Sequence, residues 1–331
     1  MKIDRRSLLG IAATGAATAA FGQTPPPITG KPLPPGRPQP TETIDLWPNG
    51  APGMPASPLV ETVNERSTDA QLTDRAVFGI SRPRMVVFRP SRPNGAAVLI
   101  MPGGGYKWVV VDKEGYELGR WLSARGFTVF VLFYRLPGEG WAAGPDVALS
   151  DAQRAMRLIR YRASDYGVDP ERVATMGFSA GGHLCCDLTA RFAKQSYLPT
   201  DQADILSARP FVSAPIYPVV SMSAPFAHSG SREKLLGSNP SLEAEKLHSP
   251  NMQISDTAPP VFLVHSEDDD VVPVENSLMF RTALRANKVP VETHLFTHGG
   301  HGFGLRKAVG KPAEVWPQLF LDWARTMGLG G

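Results

Sequence analysis

The chain has 331 residues, 42% hydrophobic and 20% charged, with a formal net charge of +3. This composition excludes a disordered chain and is enough for a large buried core. Its two cysteines, Cys185 and Cys186, are adjacent, and neighbouring helical residues point about 100° apart. A disulfide framework is thereby excluded, and two buried structural thiols are expected.

The first 22 residues have a basic start and then an apolar, alanine-rich run over 8–21, too short to span a membrane. Small residues suit cleavage after Ala19 or after Gly22. Arg5-Arg6 followed by Ser7, Leu8 and Leu9 resembles a twin-arginine export signal, although Asp4 and Leu8 depart from its usual pattern. Residues 1–22 are therefore expected to be an export leader. The processed protein would be periplasmic or secreted, with no stable membrane insertion. The leader takes away Lys2, Arg5 and Arg6 but only Asp4, so the net charge falls from +3 to +1. Nothing then points to a nucleic-acid surface. Residues 24–40 hold eight prolines in seventeen positions, which favours extended polyproline conformations. The expectation is a tether over 23–40 and a single domain over 41–331, without internal repeats.

Within that domain, apolar runs bounded by turn residues predict strands at 96–102, 127–135, 172–178, 259–266 and 291–296. The first four are almost continuously apolar, as in parallel strands covered on both faces. Residues 83–90 read as an earlier, more exposed strand. Residues 211–220 are a further candidate, weakened by Pro215 and Pro218. Helical spacing predicts helices over 114–125, 145–166, 184–193, 275–287 and 313–327, and Gly126 makes a good stop for the first. Alternating strand and helix imply an α/β fold, a mostly parallel doubly wound sheet with helices on both faces.

The stretch "GFSAGGH", 177–183, lies between a predicted strand and a predicted helix. Gly177-x-Ser179-x-Gly181 has the spacing of a nucleophile elbow, in which a strained turn exposes a serine hydroxyl. Such a hydroxyl needs a base, and the base needs an orienting acid, in the chain order serine, acid, histidine. Asp268, Asp269 and Asp270 follow a late strand, and each is an acid candidate. The last strand and the loop after it carry His294, His298 and His301. His294 lies within the strand and is expected only to pack. His301 sits in "GGHGF", where glycines free the backbone to place an imidazole. A tetrahedral intermediate also needs fixed N–H donors. The Ala180 N–H is one candidate, and "MPGGGYKW", 101–108, offers Gly104 and Gly105. That glycine run matches neither the P-loop nor the dinucleotide pattern. His183 has no metal-ligand partner at matching spacing and is expected to be structural; no cofactor or metal is implied.

These segments, with "EGYELGRWL", "DAQRAMRLIR", "VHSEDDDVVPVENS" and "IDLWPNGAPG", resemble the esterase/lipase branch of the α/β-hydrolases. Within it, they are similar to secreted acetylxylan esterases and bifunctional feruloyl–acetylxylan esterases. The resemblance runs over 44–327. It implies that Ser179 is the nucleophile, His301 the base and Asp269 the acid, the last bracketed by His265 and by Val272-Pro273. It also implies that Gly104, Gly105 and Ala180 donate to the oxyanion. Ser266 departs from a common glycine, with little expected effect. Pro102 replaces the histidine of many lipolytic relatives, which leans towards carbohydrate esterases. The substrate implied is acetylated plant-wall polysaccharide or oligosaccharide. Tyr106, Trp108 and Trp141 are the loop aromatics that could stack on a sugar.

Competing readings are a feruloyl or general short-chain carboxylesterase, a prolyl-oligopeptidase-type peptidase and a non-catalytic hydrolase-like binding protein. The peptidase usually carries a further domain, and the binding protein should have lost a triad member. A glycoside hydrolase would need two carboxylates flanking the bond, which this serine–histidine constellation does not supply.

Overall fold

The computed structural model describes residues 40–330. The expected export leader and all but the last residue of the tether lie outside the described residues. In chain order the strands are β1 (Glu42–Asp45), β2 (Thr62–Glu65), β3 (Arg75–Phe78), β4 (Arg84–Phe88), β5 (Gly95–Met101), β6 (Val109–Val110), β7 (Thr128–Phe133), β8 (Val168–Phe178), β9 (Ser213–Ile216), β10 (Val261–Ser266) and β11 (Val291–Phe296). The helices are α1 (Glu117–Ser123), α2 (Val147–Tyr161), α3 (Ser179–Arg191), α4 (Ser229–Leu236), α5 (Leu242–Leu247), α6 (Glu275–Ala286) and α7 (Trp316–Thr326).

Eight strands form the main sheet in the order β1-β4-β7-β5-β8-β9-β10-β11. Only β4 runs against the others. The apolar runs of β7 and β10 are buried along their whole length, as required when helices cover both faces. This is the α/β-hydrolase architecture. From β5 the chain crosses through α1 to β7 on one side, and from β7 it crosses through α2 to β8 on the other. The winding direction therefore reverses at β5, so a crevice opens at the carboxyl ends of β5 and β8. The glycine loop follows the first of these strands and Ser179 follows the second.

Several elements differ from their sequence-based expectation. β4 is buried throughout rather than exposed, because β1 pairs along its outer edge and α1 lies on Phe88. The candidate at 211–220 shrinks to four residues, with Pro215 at a position facing Gly177. α3 begins at Ser179, five residues earlier than its apolar pattern suggested, since the small residues of the turn are already helical. A second sheet, β2-β3-β6, escaped notice because its strands are two to four residues long. It ties down the far end of the glycine loop: the Val110 N–H donates to the Gly103 carbonyl at 2.9 Å. α4 and α5 were also missed, inside the polar stretch between β9 and β10. Both cysteines are free and fully buried on α3, and burial pushes the Cys185 thiol up to about 12. Among the described residues no helix is long and apolar enough to cross a membrane, and no cluster of His, Cys, Asp and Glu could hold a metal ion.

Candidate active site

β8 reaches Phe178 in extended conformation, and Ser179 then turns with φ of +54°. A non-glycine residue there costs about 1–3 kcal/mol, so its surroundings must hold it. They do so by close backbone contact. A Cβ at Gly177 would stand 2.2 Å from the Gly181 carbonyl oxygen, and one at Gly181 would stand 2.1 Å from the Met101 oxygen. Both glycines are required by β8, α3 and the end of β5 meeting so tightly. The Ser179 hydroxyl is thereby held at the sheet's carboxyl end, at the start of α3.

The hydroxyl is 2.9 Å from His301 Nε2, and His301 Nδ1 is 2.7 Å from Asp269 Oδ2. Because an ionised carboxylate only accepts, Nδ1 carries the proton and Nε2 accepts from the serine. Asp269 Oδ1 accepts from the N–H groups of Val271 and Val272, at 3.0 and 2.8 Å. Its Oδ2 also lies 3.2 Å from His265 Nε2. Burial raises the Asp269 carboxyl, but the bonds from His265 and His301, with the Val272 N–H, outweigh it and hold the group well below the usual range. The neighbours differ. Asp268 is exposed, and its Oδ1 accepts from Gly299 and Gly300, tying the aspartate loop to the histidine loop. Asp270 points to solvent, and the His298 side chain is 74% exposed. Of the alternatives open in the sequence, only His301 is hydrogen-bonded to Ser179, and only Asp269 is hydrogen-bonded to His301.

In the glycine loop, Gly104 and Gly105 have φ of +133° and +64°. The Gly103 N–H is consumed by Glu114 Oε2 at 2.9 Å, and the Gly104 carbonyl accepts from Lys107 and Trp108. Among the described residues no protein acceptor takes the Gly104 or Gly105 N–H. The Ala180 N–H lies in the first turn of α3, where a helix offers no partner of its own. These are the donors singled out from the sequence; Ala180 follows Ser179 directly, and Gly103, just before the other two, is close enough that a Cβ on it would stand 3.0 Å from the Ser179 Cβ. Such a set can take a proton from a hydroxyl and cradle the negative charge that its attack creates.

Two of the three aromatics expected to meet a sugar are turned inward. Tyr106 is 2% exposed; its hydroxyl bonds His183 Nδ1 at 2.7 Å and its ring meets Tyr134 edge-on. Trp141 is 3% exposed, with the Arg135 guanidinium 4.8 Å over its ring. Both belong to the core and offer a sugar no surface, so these two expectations are corrected. Trp108 is half-buried, with the Lys107 ammonium 4.5 Å over its ring. His183 is structural, as expected: Nε2 donates to the His248 carbonyl at 2.8 Å, and burial lowers its affinity for a second proton. His294, expected only to pack, also bonds Glu292.

Glu114, Tyr217 and His228 were not legible as site residues. Glu114 and Tyr217 lie beneath the two loops. His228 caps α4: its Nδ1 accepts the Ser231 N–H at 3.1 Å, and its Cε1 would come within 3.9 Å of a Cβ at Gly105. No spacing rule in the sequence connects α4 to a loop more than a hundred residues upstream.

The BD-FAE family model matches residues 87–284. The endo-1,4-beta-xylanase B of Butyrivibrio fibrisolvens is 38% identical over 205 residues, 62% of this chain and 32% of that protein. The acetylxylan esterase of Xylanibacter ruminicola is 31% identical over 229 residues, 68% of this chain and 44% of that protein. The chain thus spans less than half the length of these two relatives. The crystal structure of an acetyl ester-xyloside bifunctional hydrolase from Caldicellulosiruptor lactoaceticus superposes with a TM-score of 0.70 at 33% identity, covering 88% of this chain and 97% of that one. The match to the family model, with a solved relative of this identity aligned along nearly its whole length, makes the chain a member of the BD-FAE family.

Proposed function

We propose that the protein is a serine carboxylic-ester hydrolase that removes acetyl groups from plant-wall polysaccharide or its oligomers. The observation that carries this reading is the continuous hydrogen-bonded run Ser179–His301–Asp269 beside three N–H donors. The Ser179 oxygen attacks the ester carbonyl and its proton passes to His301 Nε2, while Asp269 stabilises the imidazolium. The carbonyl oxygen, now an oxyanion, takes hydrogen bonds from Ala180, Gly104 and Gly105. Collapse breaks the bond to the sugar oxygen, which leaves with the proton from His301. Water then attacks the acyl-serine by the same route, releasing acetate and restoring the hydroxyl. No cofactor enters these steps.

Acetyl as the acyl group is supported by the similarity to an acetylxylan esterase and to an acetyl ester-xyloside hydrolase. A feruloyl or general short-chain ester is the alternative, and Trp108 is then the aromatic expected to meet a feruloyl ring. The domain is expected to act outside the cytoplasm, after export and removal of the leader.

The test has two parts. A fluorophosphonate label should map by peptide mass to Ser179; labelling elsewhere, or none, overturns the mechanism. The kcat/KM for p-nitrophenyl esters should peak at acetate and fall steeply beyond butyrate, since each misfitting methylene is worth about 1–3 kcal/mol. Acetate should also be released from acetylated xylan with the sugar backbone intact. Better turnover of octanoate than of acetate would sink the carbohydrate-esterase reading, and feruloyl turnover equal to acetate would promote the alternative.

A further inference from the structure

Beneath the site lies a carboxylate that takes no part in the proton relay. Glu114 is 3% exposed, in a π-helical turn over Asp112–Tyr116 just before α1. Its two oxygens face different loops. Oε2 accepts the Gly103 N–H at 2.9 Å, immediately before the two unpartnered donors of the glycine loop. Oε1 accepts the Tyr217 hydroxyl at 3.1 Å, and the Tyr217 oxygen in turn accepts the Gly304 N–H at 3.1 Å, three residues past His301. The Tyr217 ring also meets the His301 ring edge-on, centroids 5.2 Å apart. The glycine loop comes too close for a side chain at Gly103, and the His301 loop packs against the same turn. A Cβ at Gly103 would stand 2.7 Å from Glu114 Oε2, and one at Gly302 would stand 3.7 Å from Oε1 and 3.0 Å from Lys113 Nζ. The Lys113 ammonium, 3.8 Å from Oε1, offsets the buried charge.

We propose that Glu114 and Tyr217 are a positioning pair that holds the oxyanion loop and the His301 loop in register with each other. The inference rests on the reading of Ser179 and His301 given above. The donors follow β5 and the base follows β11, at the far edge of the sheet, so no backbone ladder joins them directly. Yet the transition state needs both at once. The oxyanion must meet its N–H groups while the imidazole takes the serine proton, and an error of about 1 Å in such placement can cost about 100-fold. Glu114 fixes the Gly103 N–H, and Val110 fixes the Gly103 carbonyl, so the two peptides flanking Gly103 are both committed. The next N–H groups are then left for substrate. Through Tyr217 the same carboxylate fixes the His301 loop at Gly304, on the far side of the histidine. A carboxylate suits this place because both partners donate to it, whereas an amide would turn an NH2 group towards one of them.

The experiment compares Glu114→Gln, Tyr217→Phe and the double variant, with Ser179→Ala as the inactive reference. Readouts are kcat and KM for p-nitrophenyl acetate, the affinity for phenylboronic acid (whose tetrahedral adduct with Ser179 occupies the oxyanion position) and the melting temperature. Each single variant should stay folded at the assay temperature and lose about 10- to 100-fold in kcat, with KM within about threefold. Boronate affinity should fall in step with kcat, a change that loss of stability alone would not produce. The double variant should fall no more than about threefold below the worse single, as groups acting in one unit do. A Tyr217→Phe enzyme with kcat within about twofold of wild type, a loss confined to KM, or a double variant losing the product of both effects overturns the proposal. Should Glu114→Gln not fold, Tyr217→Phe decides alone by the same kcat and boronate criteria, since it keeps the ring and the bond from Gly103 to Glu114. An active Ser179→Ala would instead bring down the reading of the site itself.

Discussion

Asp151 and Asp269 are both buried carboxylates, and four N–H groups meet each of them. Asp151 takes Trp47 Nε1 and the backbone N, Nε and Nη2 of Arg135. Asp269 takes Val271, Val272, His265 and His301. What differs is where each chain of bonds ends. From Asp151 it runs through Arg135 to the Pro52 carbonyl at 2.7 Å and closes on backbone. From Asp269 it runs through His301 to a hydroxyl on a strained turn, beside N–H groups without protein partners. A saturated polar cluster that closes on itself holds elements together; one that stops at an open end is poised for chemistry. Buried charge alone does not separate the two cases.

The comparison breaks first at the open end. Ser179→Ala should lower esterase activity by roughly 10⁵- to 10⁶-fold, and His301→Ala by about as much, because the relay acts as one unit. Circular dichroism and melting should stay near wild type. Retained activity in either variant would show that the open end is not where the reaction occurs.

The sharpest contrast is the same substitution made twice. Asp269→Asn should cost about 10⁴-fold in kcat, since an amide cannot stabilise the imidazolium. Asp151→Asn leaves the buried Arg135 guanidinium without its carboxylate and should cost about 3–5 kcal/mol of stability, read as a lower urea midpoint. Its kcat, measured well below the melting temperature, should remain within a few-fold of wild type. Exchange of the two phenotypes would refute the distinction.

Much of the open end could be read in the sequence because strained turns and close approaches demand particular residues. Ser179 had to sit between glycines, and those glycines are the ones whose Cβ atoms would strike backbone. The strands β5, β7, β8 and β10 were legible because burial on both faces leaves an apolar run. The rest failed for physical reasons. Tyr106 and Trp141 lie in loop sequences, but their burial depends on tertiary packing, Tyr106 on His183 and Trp141 on Arg135, itself held by Asp151. Glu114 looks like an ordinary first-turn acid, and nothing local says that two loops converge on it. The short strands β2, β3 and β6 lack the length that makes alternation visible.

A smaller effect tests the aspartate next door. Asp268→Asn keeps an oxygen that can accept from Gly299 and Gly300 but loses the charge that strengthens both bonds. Activity should fall by no more than about tenfold, roughly 1.4 kcal/mol at the barrier. A loss matching that of Asp269→Asn would mean that the two loops are joined mainly through Asp268.

The smallest effect concerns a half-buried acid outside both clusters. Burial holds the Glu117 carboxyl up at about 7, outweighing the Arg306 guanidinium 3.3 Å away. Unfolded, it titrates near 4.3. Between those values the native state keeps a proton that the unfolded chain has shed, so this group removes stability as pH rises from about 4.3 to about 7. Glutamine carries no such penalty. Glu117→Gln should therefore melt about 2 °C above wild type at pH 8, with the gap shrinking towards pH 5. A gap that widens in acid would reverse the sign and disprove the account.

The stretch that carries α4 and α5 has a consequence for inheritance. It leaves the sheet after β9, places His228 over the glycine loop, and returns to β10. Its first residues belong to the site, since Tyr217 bonds Glu114 and the Val219 N–H donates to the Ser179 carbonyl at 3.1 Å, but the part over 223–247 makes no hydrogen bond to Ser179, Asp269 or His301. Its length and chemistry can therefore drift while the reacting groups stay in place. A laboratory library confined to residues 223–247 would vary this cassette while leaving the hydrogen bonds of Ser179, Asp269 and His301 untouched.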